Sequence, residues 1–336
     1  MVYCKAVITV FLKGEAYMEG KIVLAALGVL LFLALSYFIA CLAVFRFAFL
    51  RDKVSKRERF DPCHPSGDPW FPVVVDGVLY EKTLPYEDVS IRSRDGLLLR
   101  GKLYEPKDPR GTIILFHGYR SFPEHDFGGI LQHYFEECRL RMLLVDHRAH
   151  GKSEGKYITF GVREKDDCVD WARYMADRLG AAEPILLDGM SMGASTVMMA
   201  AGEDLPKNIV GIIADCGYTT PDAILRKVGR DLHMPVGLLL PGVYWLCRLA
   251  GFDPRAVSAP LALQKNKLPL VLVHGQADGF VPHGMGVENF AAANEPKKFI
   301  SIPDADHGMS YFIDKPAVLA ALTELLDSVL PAEREL

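Results

Sequence analysis

Residues 185–193 read Ile185-Leu186-Leu187-Asp188-Gly189-Met190-Ser191-Met192-Gly193, and a run rich in small residues follows. The apolar start predicts a short strand, Ile185–Leu187, and the stretch from Met192 to about Gly202 predicts a helix. Between them stands a Gly-x-Ser-x-Gly pattern. Its glycines let strand and helix approach closely around a strained turn, which pushes the central hydroxyl into the open. The helix start adds unpaired N–H groups and a partial positive charge beside that hydroxyl. Five residues of this kind also arise by chance, as a Gly-rich turn with a capping serine. The strand–turn–helix setting favours a nucleophile.

Outward from this turn, short continuous apolar runs recur at Thr112–Phe116, Met142–Asp146, Ile209–Ala214, Leu268–His274 and Lys297–Ile302. Val89–Ile91 and Leu97–Tyr104 flank Arg94-Asp95-Gly96 as a hairpin. Helices are expected over Val162–Leu179 and over Val318–Leu330, where Leu319, Leu322, Leu326 and Val329 share one side. Alternating strands and helices with fully apolar strands imply an α/β fold, its mostly parallel central sheet covered by helices on both faces. Such sheets keep their chemistry in loops at the carboxyl ends of the strands.

A serine hydroxyl is not ionised at neutral pH, so a nucleophilic Ser191 needs a base. His307 stands in a polar loop after Lys297–Ile302, and Asp278 follows the strand ending at His274. Each of the three residues follows a predicted strand. Their order, Ser191, Asp278, His307, is one of the orders in which a serine, an acid and a histidine form a triad. Asp215 also ends a strand and competes with Asp278 as the acid.

From about Val89 to Leu330 the chain resembles the α/β-hydrolase superfamily, in particular its bacterial S33-peptidase-like and lysophospholipase-like serine hydrolases. The matching residues are His117-Gly118-Tyr119, Asp146–Ser153, the turn at Ser191, Ala214–Thr219, His274–Pro282 and Asp306-His307. Ala149 stands where that pattern usually has glycine. The resemblance implies a catalytic triad of Ser191, Asp278 and His307, with Asp215 structural. It also implies an oxyanion hole made by the backbone amides of Tyr119 and Met192. No metal or organic cofactor is implied. His117, His147, His150 and Asp146 could be drawn as a metal cluster, but they read better as loop residues bracing the turn. Cys216 lacks a basic neighbour and reads as a small buried residue. The segment 219–267, with Leu225, Val228, Leu232, Trp245 and Leu249, is expected to be a helical cap over the site. Its apolar residues suit an acyl chain, and equally suit packing of the cap on the core.

The beginning of the chain is of another kind. Ile22–Phe45 carries no charged residue, a run longer than the roughly 20 residues that cross a bilayer core as a helix. It also exceeds the 7–15 apolar residues typical of a cleaved signal peptide. Ala40-Cys41 hints at lipoprotein processing, yet apolar residues continue past it. The expected organisation is a tail at 1–21, a transmembrane anchor at 22–45, a linker at 46–85 rich in charge and proline, and the catalytic domain at 86–332. Met18 could be the true start. Arg46, Arg51, Lys53, Lys56, Arg57 and Arg59 follow the anchor, against Lys5, Lys13 and Lys21 before it. That imbalance puts the catalytic domain on the cytoplasmic side.

Half of the 336 residues are hydrophobic, 24% are charged and the net charge is −4. Mild acidity without a basic block argues against nucleic acid as a partner. Seven scattered cysteines, none in Cys-x-x-Cys spacing, fit neither a disulfide framework nor a zinc ribbon. The expected partners are a small-molecule or lipid-like acyl substrate and the lipid bilayer. The function expected is a membrane-anchored serine hydrolase of carboxylic esters or thioesters. A peptidase or amidase of the same fold, and a non-catalytic membrane-tethered scaffold, are the other readings.

Overall fold

Eight strands form one sheet: β1 (Glu87–Arg92), β2 (Leu98–Tyr104), β3 (Gly111–Phe116), β4 (Leu140–Asp146), β5 (Ile185–Met190), β6 (Ile209–Asp215), β7 (Leu270–Gly275) and β8 (Lys297–Ile302). Their spatial order is β1-β2-β4-β3-β5-β6-β7-β8. The hairpin β1-β2 runs antiparallel, β2 pairs antiparallel with β4, and every later pair is parallel. The computed structural model describes residues 2–62 and 69–331, and side chains except those of residues 2–16, 19 and 20. Cys63, Pro65 and Gly67 of the expected linker, the side chain of Cys4, and the expected domain end at 332 lie outside the described residues.

The inner strands are apolar throughout because successive side chains feed two different cores. Ile114 and Phe116 of β3 join one cluster, while Ile113 and Leu115 join the other. The same alternation divides Leu143 and Val145 from Met142 and Leu144 in β4. On the first face lie α5 (Glu164–Leu179), α6 (Met192–Ala200) and α9 (Ala259–Leu263), as the cluster's Trp171, Val197 and Leu263 show. On the second lies α12 (Lys315–Val329), through Val318, Leu322 and Leu326.

Three departures from the sequence reading concern the parts outside the sheet. First, the backbone from Val2 to Phe49 is one continuous helix, α1, so the expected tail is helical. Residues 22–36 of α1 are exposed, but Cys41, Phe45 and Phe49 are buried in the first core cluster. Their spacing of four puts them on one helical stripe. Phe49 meets the rings of Phe160 and Phe252 at centroid distances of 5.5 and 5.4 Å. Burying each such ring contributes about 1.5–3 kcal/mol. The end of α1 is therefore a core element as well as an apolar rod.

Second, the expected linker is structured. It holds α2 (Lys56–Arg59), closed by a capping box between Ser55 and Glu58, and α3 (Phe71–Glu81). Arg57 pairs with Glu124 at 2.7 Å and with Asp146 at 2.9 Å, strapping α2 to the domain. In α3, Val74, Gly77, Val78 and Glu81 are buried. Glu81 and Glu124 share Lys102 Nζ, each at 2.7 Å.

Third, the insertion at 219–267 is helical, with α7 (Pro221–Asp231), α8 (Val236–Leu249) and α9, but α8 packs along the last third of α1. Tyr37 Oη donates to the Leu238 carbonyl at 3.0 Å there. None of the described residues lining the cleft at the Ser191 turn belongs to this segment.

Candidate active site

The turn at residues 189–193 has the strain the sequence pattern implies. Ser191 sits at φ 56° and ψ −110°, between the end of β5 and the start of α6. A non-glycine residue there is costly and persists only where its surroundings hold it. The glycines on either side supply the room. A Cβ on Gly189 would strike the backbone of Gly193, and one on Gly193 would strike the carbonyl of Phe116. The Ser191 amide donates to the Asp215 carbonyl at 2.8 Å, which ties the turn to the end of β6.

Three strand ends bring the predicted side chains together. Ser191 Oγ lies 2.9 Å from His307 Nε2, and His307 Nδ1 lies 2.8 Å from Asp278 Oδ2. The other carboxylate oxygen of Asp278 accepts from the amides of Phe280 and Val281 at 2.9 and 2.7 Å. His274 Nε2 stands 3.3 Å from Asp278 Oδ2 and donates to the Val281 carbonyl at 2.9 Å. Burial alone would raise the Asp278 carboxyl. Hydrogen bonds from His274 and His307, the His307 charge and the Val281 amide outweigh it and hold the group well below the usual carboxylate range. Burial works against a charged His274, yet Asp278 and the Val281 carbonyl raise it above its ordinary value.

Asp215 is placed differently. Burial pushes its carboxyl up to about 7, with His274 and His307 opposing and Asp278 adding to the rise. Among the described residues its Oδ1 has no hydrogen-bond partner. It therefore lies near the chain of three without orienting His307. Cys216 is buried, and burial raises its thiol well above the ordinary value.

The turn His117-Gly118-Tyr119 passes directly over Ser191, since a Cβ on Gly118 would stand 3.3 Å from Ser191 Cβ. The Gly118 amide donates to Asp126 Oδ2 at 2.7 Å, and the Arg120 amide donates to His150 Nε2 at 3.0 Å. Both neighbours of Tyr119 are thus anchored, and Arg120 is held at φ 53°. Neither the Tyr119 nor the Met192 amide has a protein acceptor among the described residues. His117 Nδ1 donates to the Gly118 carbonyl at 2.7 Å, and its Nε2 accepts from the His147 amide at 3.2 Å. His150 Nδ1 contacts the Arg148 carbonyl at 2.9 Å. His117 and His150 spend both ring nitrogens on backbone groups, and burial lowers both imidazoles, so they brace loops as neutral rings.

Ser191 and His307 open into a cleft of about 710 Å³. Its apolar wall comes from Phe60, Trp70, Phe71, Val74, Met309 and Phe312, with Trp70 stacked on Phe312 at a centroid distance of 5.7 Å. Lys56, Arg59 and His125 supply its polar rim. Burial draws the Lys56 ammonium below its ordinary value, with Asp126 opposing. No residue of 219–267 lines this cleft among those described. Its contact with the cleft is indirect: Lys227 Nζ donates to the Gly279 carbonyl next to Phe280. The expected cap is corrected accordingly: Phe60, Trp70, Phe71 and Val74 of the wall come from the stretch read as a linker, and Met309 and Phe312 from the segment after His307. Sequence reasoning also missed Asp126. It stands eight residues after Gly118 in no recognisable motif, and only the fold brings it under the turn.

No protein-family model matches the chain. The uncharacterized protein YqkD of Bacillus subtilis is 27% identical over 241 residues, covering 71% of this chain and 78% of its own length. The polyketide transferase ATR5 of Stachybotrys chlorohalonatus is 32% identical over 173 residues, covering 50% of this chain and 54% of that protein. Among solved structures, the Pyrococcus furiosus esterase Pf2001 superposes with a TM-score of 0.59 at 22% identity, covering 74% of this chain and 93% of the esterase. The α/β hydrolase GrgF of a Penicillium species superposes with a TM-score of 0.57 at 20% identity, covering 74% of this chain and 99% of GrgF. This chain has the α/β-hydrolase fold.

Proposed function

We propose that this protein is a membrane-anchored serine hydrolase that cleaves a carboxylic ester or thioester through an acyl-enzyme on Ser191. The observation that carries the reading is the unbroken chain Ser191 Oγ–His307–Asp278, at 2.9 and 2.8 Å, opening into an apolar cleft. Its likeness to esterases and other α/β hydrolases supports hydrolysis in general.

In this mechanism His307 accepts the Ser191 proton as the oxygen attacks the substrate carbonyl. Asp278 keeps the imidazole in the tautomer with Nδ1 protonated and stabilises the imidazolium that forms. The developing oxyanion is received by the amides of Tyr119 and Met192; loss of one such donor costs roughly 2.7–4 kcal/mol of transition-state stabilisation. His307 then protonates the leaving group and activates the water that releases the acid. Esters and thioesters are favoured over amides because their leaving groups need less help. The aromatic wall suits an acyl chain, with Lys56 and Arg59 near a polar end. An acyl group on Ser191 can also pass to an acceptor other than water, which the polyketide transferases among its relatives make worth measuring. The apolar run of α1 is the anchor in this reading.

The test uses the full chain in detergent or lipid nanodiscs, with and without Ser191→Ala. A fluorophosphonate probe should label the wild type alone. Turnover of a p-nitrophenyl ester series should fall by roughly 10⁵–10⁶-fold in the variant. Adding an alcohol separates transfer from hydrolysis. A folded wild type that neither labels nor turns over any ester or amide leaves the scaffold reading in its place.

A further inference from the structure

The geometry of α1 against α8 has a consequence for how the domain meets a membrane. The uncharged run of α1 is bounded at its start by Glu19 and Lys21, so a hydrocarbon span begins no earlier than Ile22. The stretch that stands free of the domain, 22–36, rises about 22 Å at 1.5 Å per residue. A bilayer core is about 30 Å thick. A span must therefore also use residues 37–41, where α1 is no longer alone. Tyr37 Oη donates to the Leu238 carbonyl at 3.0 Å, and Cys41 Sγ lies 3.6 Å from the Leu239 carbonyl. The two helices close on each other at Gly242, where an added Cβ would stand 2.6 Å from Cys41 Sγ and 2.7 Å from Tyr37 Oη.

Where residues 37–41 of α1 lie at hydrocarbon depth, the first half of α8, which packs on them, lies there too. The outward face of α8 suits that place. Leu238, Trp245 and Leu249 are 61, 52 and 67% exposed, at spacings of seven and four residues. The helix carries no charge until Arg248 in its last turn, which pairs with Asp253 at 2.9 Å. A tryptophan near such a polar boundary is the usual marker of a membrane interface.

We propose that α8 is a second membrane-contacting element, lying in the near leaflet beside α1 with Leu238, Trp245 and Leu249 against lipid. This rests on the reading of α1 as a membrane span. The two helices together then fix the domain's tilt on the bilayer. Tyr119, which also lines the cleft, donates through its hydroxyl to the carbonyl of Ala48, seven residues past the end of that span, at 2.9 Å.

The experiment is lipid quenching of tryptophan in the full chain. Wild type and Trp245→Phe are reconstituted into phosphatidylcholine vesicles with or without dibrominated phosphatidylcholine. The exposed position of Trp245 makes the substitution mild. The wild type should lose fluorescence to the brominated lipid, and most of that loss should vanish in Trp245→Phe, because Trp171 is buried in the core; Trp70→Phe, which removes the half-buried tryptophan of the cleft wall, should leave the loss intact. Equal quenching of the wild type and Trp245→Phe, with the protein still resisting alkaline carbonate extraction, overturns the role of α8 and leaves the anchor standing. Release of the wild type by carbonate overturns the span reading, and this inference with it.

Discussion

At the scale of single residues, the two carboxyl groups at neighbouring strand ends have opposite environments. Asp278 is held ionised by two histidines and two backbone amides, whereas Asp215 is buried with one oxygen that meets no hydrogen-bond partner among the described residues. Asp278→Asn should therefore lower kcat for an ester by about 10⁴-fold, as loss of the orienting acid does elsewhere. Asp215→Asn should keep most of the activity, and steady-state kinetics on the two variants decide between them. Asp215 also sets a stability trend. Its folded value is near 7, against about 3.9 for an unfolded aspartate. The fold favours its protonated form, so this group's contribution is present below pH ~4 and is lost as pH rises through about 7. The thermal midpoint of Asp215→Asn minus that of the wild type should grow across this window and level off above it. A difference that stays flat with pH counts against the shift.

At the scale of elements, α3 shows how a helix can be overlooked and still be essential. Its buried positions, 74, 77, 78 and 81, follow helical spacing. Prolines and charges before it dominate the composition of the stretch, which is why it reads as a linker. What the helix packs against is not local: Gly77 lies on the backbone of Gly128, and a Cβ there would strike the Gly128 carbonyl. Gly77→Ala should destabilise the protein by about 1–3 kcal/mol, seen as a lower denaturation midpoint. It should also displace Phe71 and Val74 in the cleft wall, shifting the ester chain-length profile. An unchanged midpoint would mean that α3 can move away from Gly128 at no cost.

At the scale of the whole molecule, α1 joins the parts. Its end is buried among Phe160, Phe252 and α8, and it is clasped by the loop over the site. Arg120 donates to the carbonyls of Phe47 and Leu50 at 2.6 and 3.2 Å, and Tyr119 donates to that of Ala48. The turn carrying Tyr119 and the end of α1 are thus one packed unit. Gly242→Val should wedge α8 from α1 by meeting Cys41 and Tyr37. Trypsin should then cut nanodisc-bound protein faster after Arg46 and Arg51 than it cuts the wild type. Equal cutting rates would show that this contact does not hold the domain to its helix.

The sheet, its alternating helices, the turn at Ser191 and the three loops bearing Ser191, Asp278 and His307 were legible from sequence, because each depends on local signals. Apolar runs, glycine placement and chain order act over a few residues. The apolar length of α1 was legible for the same reason. Tertiary structure alone decided which segment walls the cleft, that Asp126 and His150 anchor the turn carrying Tyr119, and that Cys41, Phe45 and Phe49 belong to the core. In an apolar run every face looks alike, and only the partner it meets in three dimensions separates a buried stripe from a lipid-facing one. The insertion's place beside α1 follows the same logic: its apolar residues demanded a cover, and only packing could choose between the site and α1.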